Sequence, residues 1–67
     1  NILTQVILEL IADLPRVLKP AGVFICSGII EENRGLVISR LIAAGFEILE
    51  ARGREGWVAI GCRLKTT

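Results

Sequence analysis

Apolar residues between positions 4 and 18 recur at the spacing of an amphipathic helix. They fall at Val6, Ile7, Leu10, Ile11, Leu14, Val17 and Leu18. The pattern predicts a first helix over Thr4–Leu18, with the polar side chains mostly on its other side. Thr4 is the predicted N-cap, because its hydroxyl can accept a hydrogen bond from an orphan N–H of the first turn.

The next predicted element is a buried strand. Val23–Ser27 is a short run rich in residues that favour strands, and its side chains show no apolar/polar alternation. Such runs are typical of strands covered on both faces, as in a parallel sheet. Gly28 follows and predicts a turn out of the strand.

A second helix is predicted over Ile30–Ala44. Glu31 and Glu32 would lie in its first turn, where negative charge complements the helix dipole. Gly45 would end it in a left-handed conformation. Its predicted buried side consists of Val37, Ile38, Leu41 and Ile42.

The last third of the chain predicts two strands, Phe46–Arg52 and Trp57–Leu64. A loop with two glycines separates them, which indicates an antiparallel hairpin. The complete order is helix, strand, helix, strand, strand. This order predicts an α/β fold.

Length and composition indicate a piece of something larger, or an oligomer. The chain has 67 residues, of which 52% are hydrophobic. A domain of this size buries only about 60% of the surface that its unfolded chain exposes, so it would not hide all of its apolar surface alone. The chain also has no Met and begins with the apolar stretch Asn1-Ile2-Leu3. We therefore expect residues 1–67 to be a single fragment of a longer protein.

Charge and cysteine usage exclude several classes of function. The net charge is +1 and the basic residues form no stripe, which argues against a nucleic-acid surface. No apolar run approaches the roughly 18 residues of a membrane span. Cys26 and Cys62 lack metal-ligand spacing and the chain has no His, so we expect no metal site. Two free, buried thiols in a cytoplasmic protein are the expected state.

Five stretches resemble one family in sequence and in order: Asn1-Ile2-Leu3, LKPAG, SGIIEE, AAGFE and REGWVAIGCR. Together they resemble the C-terminal end of the bacterial ribosomal protein L-eleven methyltransferases, which are class I S-adenosylmethionine-dependent enzymes. The resemblance covers essentially all 67 residues. One departure is Ala21, where the family typically has the first Gly of a pair.

The resemblance implies the C-terminal half of a Rossmann-like methyltransferase fold. Its three strands would form a mixed sheet in which Trp57–Leu64 lies between the other two and runs antiparallel to them. One edge of Val23–Ser27 would then be open. Because an exposed apolar edge invites pairing, we expect the fragment to associate with itself through that edge.

The implied function is methylation of amino groups on a large-subunit ribosomal protein, with S-adenosylmethionine as cofactor. In nucleotide-binding folds of this type, a Gly-rich loop and an acidic residue in the first half hold the cofactor. This sequence contains neither feature. We therefore assign no cofactor-binding residue to the fragment and expect it to be inactive alone.

The resemblance points to one catalytic candidate, Asn1, whose carboxamide oxygen could orient the N–H groups of an incoming amine. Asn1 could equally be a frayed terminus. Ser27 and Gly28 stand at the carboxyl end of a strand, where open α/β sheets place their ligands, and either line the substrate site or only shape the backbone. Trp57, the only Trp, either lines the substrate entrance or anchors packing.

Two other functions stay open at this point. The chain could be a small α/β interaction module without enzymatic activity. It could also belong to a class I methyltransferase with a nucleic-acid or small-molecule substrate. A Gly-rich loop encoded upstream would be expected for either methyltransferase and not for the interaction module.

Overall fold

The computed structural model describes residues 2–19 and 21–65. The predicted order of two helices and three strands is confirmed, with one 3-10 turn added between β1 and α2. The elements are α1 (Ile2–Val17), β1 (Val23–Ile30), the 3-10 turn (Glu31–Asn33), α2 (Arg34–Ala43), β2 (Phe46–Arg54) and β3 (Trp57–Leu64).

The three strands form one sheet in the order β1-β3-β2. The last strand therefore occupies the centre, as the family resemblance implied. Both of its pairings are antiparallel. The prediction of a mixed sheet is wrong for the described residues, because the two strands that run in the same direction, β1 and β2, are separated by β3.

Both helices pack on one face of the sheet and enclose a single apolar core with it. The core residues of β3, Val58, Ile60 and Cys62, alternate along the strand, as expected for a sheet covered on one side. The helices contribute Ile7, Ile11, Val37 and Leu41, and the strands contribute Cys26, Ile29, Phe46, Val58, Ile60 and Cys62.

The opposite face of the sheet is open in the described part of the chain. Val23 is 54% exposed, Ile25 71% and Trp57 52%. The prediction that β1 is covered on both faces is therefore wrong for this chain. The reason is that α1 and α2 lie on the same side, which leaves apolar side chains of the other side in water.

Gly28 produces a bulge within β1 rather than a turn at its end. Its φ is +77°, and the pairing of β1 with β3 shifts register between Cys26 and Ile29. After the shift, Ile29 pairs with Val58 and Ile30 with Trp57. The strand therefore extends beyond the predicted end at Ser27, because partners on β3 are available to pair with it.

The starts of both helices differ from the predictions. Helix α1 begins at Ile2, so Thr4 lies inside the helix and is not its N-cap; its side chain is buried. Glu31 and Glu32 belong to the 3-10 turn and not to the first turn of α2. On α2 itself, Ile42 is 57% exposed rather than buried.

Four residues in the connections between elements have a positive φ: Ala21, Gly45, Glu55 and Gly56. Glu55 and Gly56, with φ of +53° and +84°, form the two-residue loop between β2 and β3. Positive φ at both central positions defines a type I′ turn, whose twist matches that of a hairpin. Ala21 also has a positive φ, +62°, which residues other than Gly, Asn, Asp and His rarely adopt.

Candidate functional site

A cavity of about 210 Å³ opens on the uncovered face of the sheet, beside the bulge in β1. The three residues that the sequence suggested as substrate-lining, Ser27, Gly28 and Trp57, all contribute to it. The structure thus brings together residues that are about thirty positions apart. The complete lining is Ser27, Gly28, Arg52, Arg54, Trp57, Val58 and Ala59.

The register of the hairpin places two arginines on the wall of this cavity. Arg52 pairs with Ala59, and Arg54 pairs with Trp57, so all four side chains share the open face. Sequence reasoning missed both arginines, because it ended the strand at Arg52 and assigned Arg54 to a loop. Their spacing of two residues, which places side chains on one face of a strand, was the available signal.

The two arginines carry positive charge into the cavity wall. Arg52 forms an ion pair with Glu50, and Nε of Arg54 lies 3.6 Å from Oε1 of Glu55. The guanidinium side chains are 78% and 89% exposed. Exposed ion pairs of this kind contribute little free energy, so either arginine can exchange its partner for an anionic group of a ligand.

A second cavity of about 200 Å³ adjoins the first and shares Arg52 and Ala59 with it. Ile25 of β1 and Glu50 of β2 form its opposite walls above Gly61 of the central strand. Small-molecule sites typically enclose roughly 300–1,000 Å³. Neither cavity reaches that range, so the described residues do not by themselves form a pocket for a nucleotide-sized cofactor.

The 3-10 turn after β1 is tied to the hairpin at the rim of the cavity. The N–H of Glu31 donates a 2.9 Å hydrogen bond to the carbonyl oxygen of Gly56. Arg34 donates two hydrogen bonds to the Glu31 carboxylate, of 2.7 and 3.0 Å. These hydrogen bonds hold the pKa of Glu31 below its ordinary value and raise that of Arg34.

The start of α1 reaches the same end of the sheet. The side chain of Leu3 lies against Gly28, where an added Cβ would be 2.5 Å from Cδ2 of Leu3. Nδ2 of Asn33 donates a 3.0 Å hydrogen bond to Oγ1 of Thr4. The catalytic candidate Asn1 precedes these residues in sequence and lies outside the described residues.

Ser27 lacks the chemistry of a nucleophile. The chain contains no His, the usual general base for a serine hydroxyl. Within residues 2–19 and 21–65, no group of three or more potential ligands could hold a metal ion. What the lining offers instead is an aromatic side chain, a hydroxyl and two guanidinium groups.

The two cysteines are free and buried, as predicted. Their side chains point into the core, where Cys26 Sγ lies 3.8 Å from the carbonyl oxygen of Ile60 and Cys62 Sγ 3.5 Å from that of Phe24. Burial raises the pKa of both thiols, to about 11 for Cys62. Because the thiolate is the reactive form, both are structural residues. Neither described helix is long and apolar enough to cross a membrane.

Comparison with known proteins agrees with the resemblance seen in the motifs. Residues 1–65 match the sequence model of a family described as "Ribosomal protein L11 methyltransferase (PrmA)". Curated relatives that carry the name ribosomal protein L11 methyltransferase include the following three. The one from Desulfosudis oleivorans is 43% identical over 94% of this chain and 21% of its own length. The relative from an Exiguobacterium species is 55% identical over 90% of this chain and 19% of its own length. The relative from Pelotomaculum thermopropionicum is 48% identical over 97% of this chain and 21% of its own length.

The chain therefore spans about a fifth of the length of these curated relatives. Within that fifth the family model matches residues 1–65, which include both the start of α1 and the end of β3. A family model that covers almost every residue, together with relatives of this identity, decides the assignment. The chain belongs to the ribosomal protein L11 methyltransferase family.

Proposed function

We propose that this chain is the C-terminal segment of an S-adenosylmethionine-dependent protein N-methyltransferase. The parent enzyme acts in the cytoplasm of a bacterium and methylates amino groups of ribosomal protein L11. The observation that carries the proposal is the match of residues 1–65 to the family model. The names of the relatives support ribosomal protein L11 as the substrate.

In the parent enzyme these elements form the C-terminal half of a Rossmann-like sheet. Two features of the structure support this placement. The central position of β3 is the arrangement that the family resemblance implies. The start of β1 exposes Val23 and Ile25 on the open face, and exposed apolar patches mark surfaces that contact other elements.

Asn1 is the residue that we assign to catalysis in the parent enzyme. Its carboxamide oxygen accepts hydrogen bonds from the N–H groups of the incoming amine and so orients the nitrogen lone pair. Catalysis of this kind depends on positioning. Asn1→Ala should therefore lower kcat on the order of 100-fold, the loss that a misplacement of about 1 Å can cause.

Ser27, Gly28 and Trp57 line the approach of the substrate. The supporting observation is that all three surround one cavity on the open face of the sheet, beside the bulge in β1. The ring of Trp57 is half exposed and so available to a ligand. Arg52 and Arg54 would add positive charge at the entrance.

The cofactor, S-adenosylmethionine, supplies the reactive methyl group in the parent enzyme and is held mainly by residues outside this chain. The two cavities of the described residues, about 200 and 210 Å³, are too small to enclose it. The sequence also contains no Gly-rich loop after a strand. The 67 residues alone should therefore be inactive.

Calorimetric titration with S-adenosylmethionine tests whether the cofactor is held mainly by residues outside this chain. The comparison uses the 67-residue chain and a chimera, in which these residues replace the segment that they match in the Exiguobacterium relative. We expect heat of binding from the chimera and none from the chain alone. Micromolar or tighter binding by the 67 residues would contradict the proposal.

The fragment alone should associate with itself through the open edge of β1. The two outer strands differ in their number of charged side chains, which discourage edge pairing. Along β2, charged side chains protect the edge, namely Glu47, Glu50, Arg52 and Arg54. Strand β1 carries no charged residue, and unprotected apolar edges tend to pair. A monodisperse monomer in light scattering would contradict this.

A further inference from the structure

The wall that β2 contributes to the candidate site carries two positive charges. Arg52 and Arg54 stand on one face of β2, two residues and therefore about 6.8 Å apart along the strand. Both line the cavity beside the bulge in β1, and among the residues that the structure describes this lining includes no Asp or Glu. A cleft lined by one sign of charge attracts the opposite sign, so this cavity favours an anionic group over a protonated amine.

The two arginines differ in how firmly they are already paired. Glu50 forms a close ion pair with Arg52, two residues away on the same strand. Nε of Arg54 lies 3.6 Å from Oε1 of Glu55, beyond the roughly 2.7–2.9 Å of a charge-assisted hydrogen bond. The guanidinium of Arg54 is also the more exposed of the two. Its N–H donors are therefore the more available to a ligand.

The surroundings of Arg54 strengthen an ion pair formed there. Trp57 is its cross-strand partner, and such partners have Cβ atoms about 4.5–5.5 Å apart. The half-exposed ring of Trp57 keeps water from one side of the guanidinium, and charges attract more strongly where less water lies between them. Ser27, on β1 across the cavity, carries a hydroxyl that can donate to the same anion.

We propose that Arg54, assisted by Arg52, binds a carboxylate of the substrate protein, on an Asp or Glu side chain close to the amine that is methylated. The inference rests on the proposed function and deepens it, since it names what the substrate presents beside the amine. Arg54 is then a specificity-determining residue of the site that Trp57 also lines. The substrate carboxylate replaces Glu55 as the partner of Arg54.

Two other anions fit this wall less well. An RNA backbone is bound by a clustered basic patch or stripe, whereas this chain has a net charge of +1 and its basic residues form no stripe. The carboxylate of S-adenosylmethionine belongs to a ligand that the two cavities, of about 200 and 210 Å³, are too small to enclose. The carboxylate of one protein side chain needs no larger space.

The test uses ribosomal protein L11 as the probe and a matched pair of variants in the chimera. Arg54→Gln removes the charge that binds the carboxylate, whereas Glu55→Gln removes the charge that competes for it. Arg16→Gln is the control, because Arg16 also lies in an exposed ion pair, with Asp13, but on α1 at the other face of the sheet. For each variant we would measure kcat, KM, Tm and the dissociation constants of ribosomal protein L11 and of S-adenosylmethionine.

We expect Arg54→Gln to raise KM and the dissociation constant of ribosomal protein L11 by about tenfold, the effect of losing one charge-assisted hydrogen bond. Glu55→Gln should lower both quantities, and Arg16→Gln should change neither. In all three variants kcat, cofactor affinity and Tm should stay close to those of the unsubstituted chimera.

Three results would contradict the inference. The first is an unchanged KM in Arg54→Gln. The second is a rise in KM of the same size in Glu55→Gln, which would show that only the ion pair between the two side chains matters. The third is weaker binding of S-adenosylmethionine by Arg54→Gln, which would assign the arginine to the cofactor.

Substitutions in the substrate identify the carboxylate. Each Asp and Glu of ribosomal protein L11 would be changed in turn to Asn or Gln. At least one change should raise KM about tenfold with the unsubstituted chimera and have no further effect with Arg54→Gln, as expected for a direct pair in a double-mutant cycle. Additive effects at every position would refute the pairing, and so would an effect of Arg54→Gln seen only with ribosomal protein L11 bound to its RNA.

Failure of the proposed function gives a different result. If the folded, unsubstituted chimera transfers no methyl group, the proposed function fails, and the dissociation constants of ribosomal protein L11 still decide the inference. Absence of any binding of that protein would contradict both. Normal methyl transfer with an unchanged KM in Arg54→Gln would contradict the inference alone.

Discussion

The guanidinium of Arg34 lies over the backbone of Gly53. A Cβ at Gly53 would be 2.7 Å from Nη2 of Arg34 and 3.1 Å from the Glu31 carboxylate. The ion pair between Arg34 and Glu31 therefore packs against a strand position that has no side chain. This contact joins the end of β1 to the hairpin beside the candidate site.

Gly53→Ala should displace Arg34 and weaken its hydrogen bonds to Glu31. These bonds are what lowers the pKa of Glu31, so the pKa should rise toward its ordinary value of about 4.3. A lowered folded-state pKa contributes stability above about pH 4.3 that is lost as the pH falls through the folded value. This acid-dependent loss should therefore shrink in the variant.

An NMR pH titration of the Glu31 carboxyl carbon measures the effect directly. Gly61→Ala is the matched control, because Gly61 is also a strand glycine and a Cβ there has nothing within 4 Å. In the Gly61→Ala variant, the pKa of Glu31 should equal that of the unsubstituted protein. Equal pKa values in all three proteins would show that Gly53 does not support the ion pair.

Ala21→Gly should stabilise the protein. Ala21 has a φ of +62°, a region that costs an L-residue about 1–2 kcal/mol. Glycine adopts it freely but loses more entropy on folding, by about 0.5–1 kcal/mol, so we expect a net gain of about 0.5–1 kcal/mol. For a domain of this size that corresponds to a rise in Tm of about 2–8 °C.

The control for Ala21→Gly is Ala44→Gly. Ala44 has an ordinary φ of −85° and packs against the core, so glycine brings its entropic cost and the loss of a packed methyl group, and Tm should fall. If both substitutions lowered Tm, the backbone at Ala21 would not be in the left-handed region.

The protein should lose stability at alkaline pH because of Cys62. Burial raises the pKa of this thiol to about 11, whereas an exposed thiol has a pKa of about 8.5. For a group whose folded pKa is raised, the stabilisation is complete below the unfolded value and disappears as the pH rises toward the folded one. The expected loss is about 2 kcal/mol by pH 10.

Urea unfolding from pH 7 to 10 tests this dependence on Cys62. Cys62→Ala should be less stable at pH 7, because it removes a core side chain, but its stability should fall less as the pH rises. A slope identical to that of the unsubstituted protein would assign the alkaline loss to other groups.

Ile25→Lys should convert the self-associated fragment into a monomer. Ile25 is 71% exposed on the unprotected edge strand β1, and a lysine there is the means by which natural sheets discourage edge pairing. Ile42→Lys serves as control, since Ile42 is 57% exposed on α2, away from that edge. Light scattering should show the change only for Ile25→Lys; the same change for both would indicate general solubilisation.

The element order followed from local patterns, namely the helical spacing of apolar residues, the strand-favouring composition of Val23–Ser27 and the glycines between the elements. The bulge at Gly28 did not, since a glycine after an apolar run predicts a turn equally well. What decides between turn and bulge is the presence of Val58 and Trp57 as partners for Ile29 and Ile30. Those partners come from a strand distant in sequence.

Coverage of the sheet was misjudged for a similar reason. The run from Val23 to Ser27 has the composition of a strand buried on both sides, but the described residues cover only one. Ser27 and Gly28 were suggested by their place at the end of the predicted strand and Trp57 by the family resemblance, and the three meet in one cavity. Arg52 and Arg54 were missed, because their place on the wall depends on a tight turn at Glu55 and Gly56 that the loop composition did not specify.

The central claim is that these residues complete a methyltransferase of ribosomal protein L11. Mass spectrometry of that ribosomal protein, after incubation with S-adenosylmethionine and the chimera, tests it most directly. We predict methylated amino groups with the chimera, a strong reduction with its Asn1→Ala variant, and an unmodified substrate with the 67-residue chain alone. An unmodified substrate in the presence of a folded chimera that binds the cofactor would contradict the account.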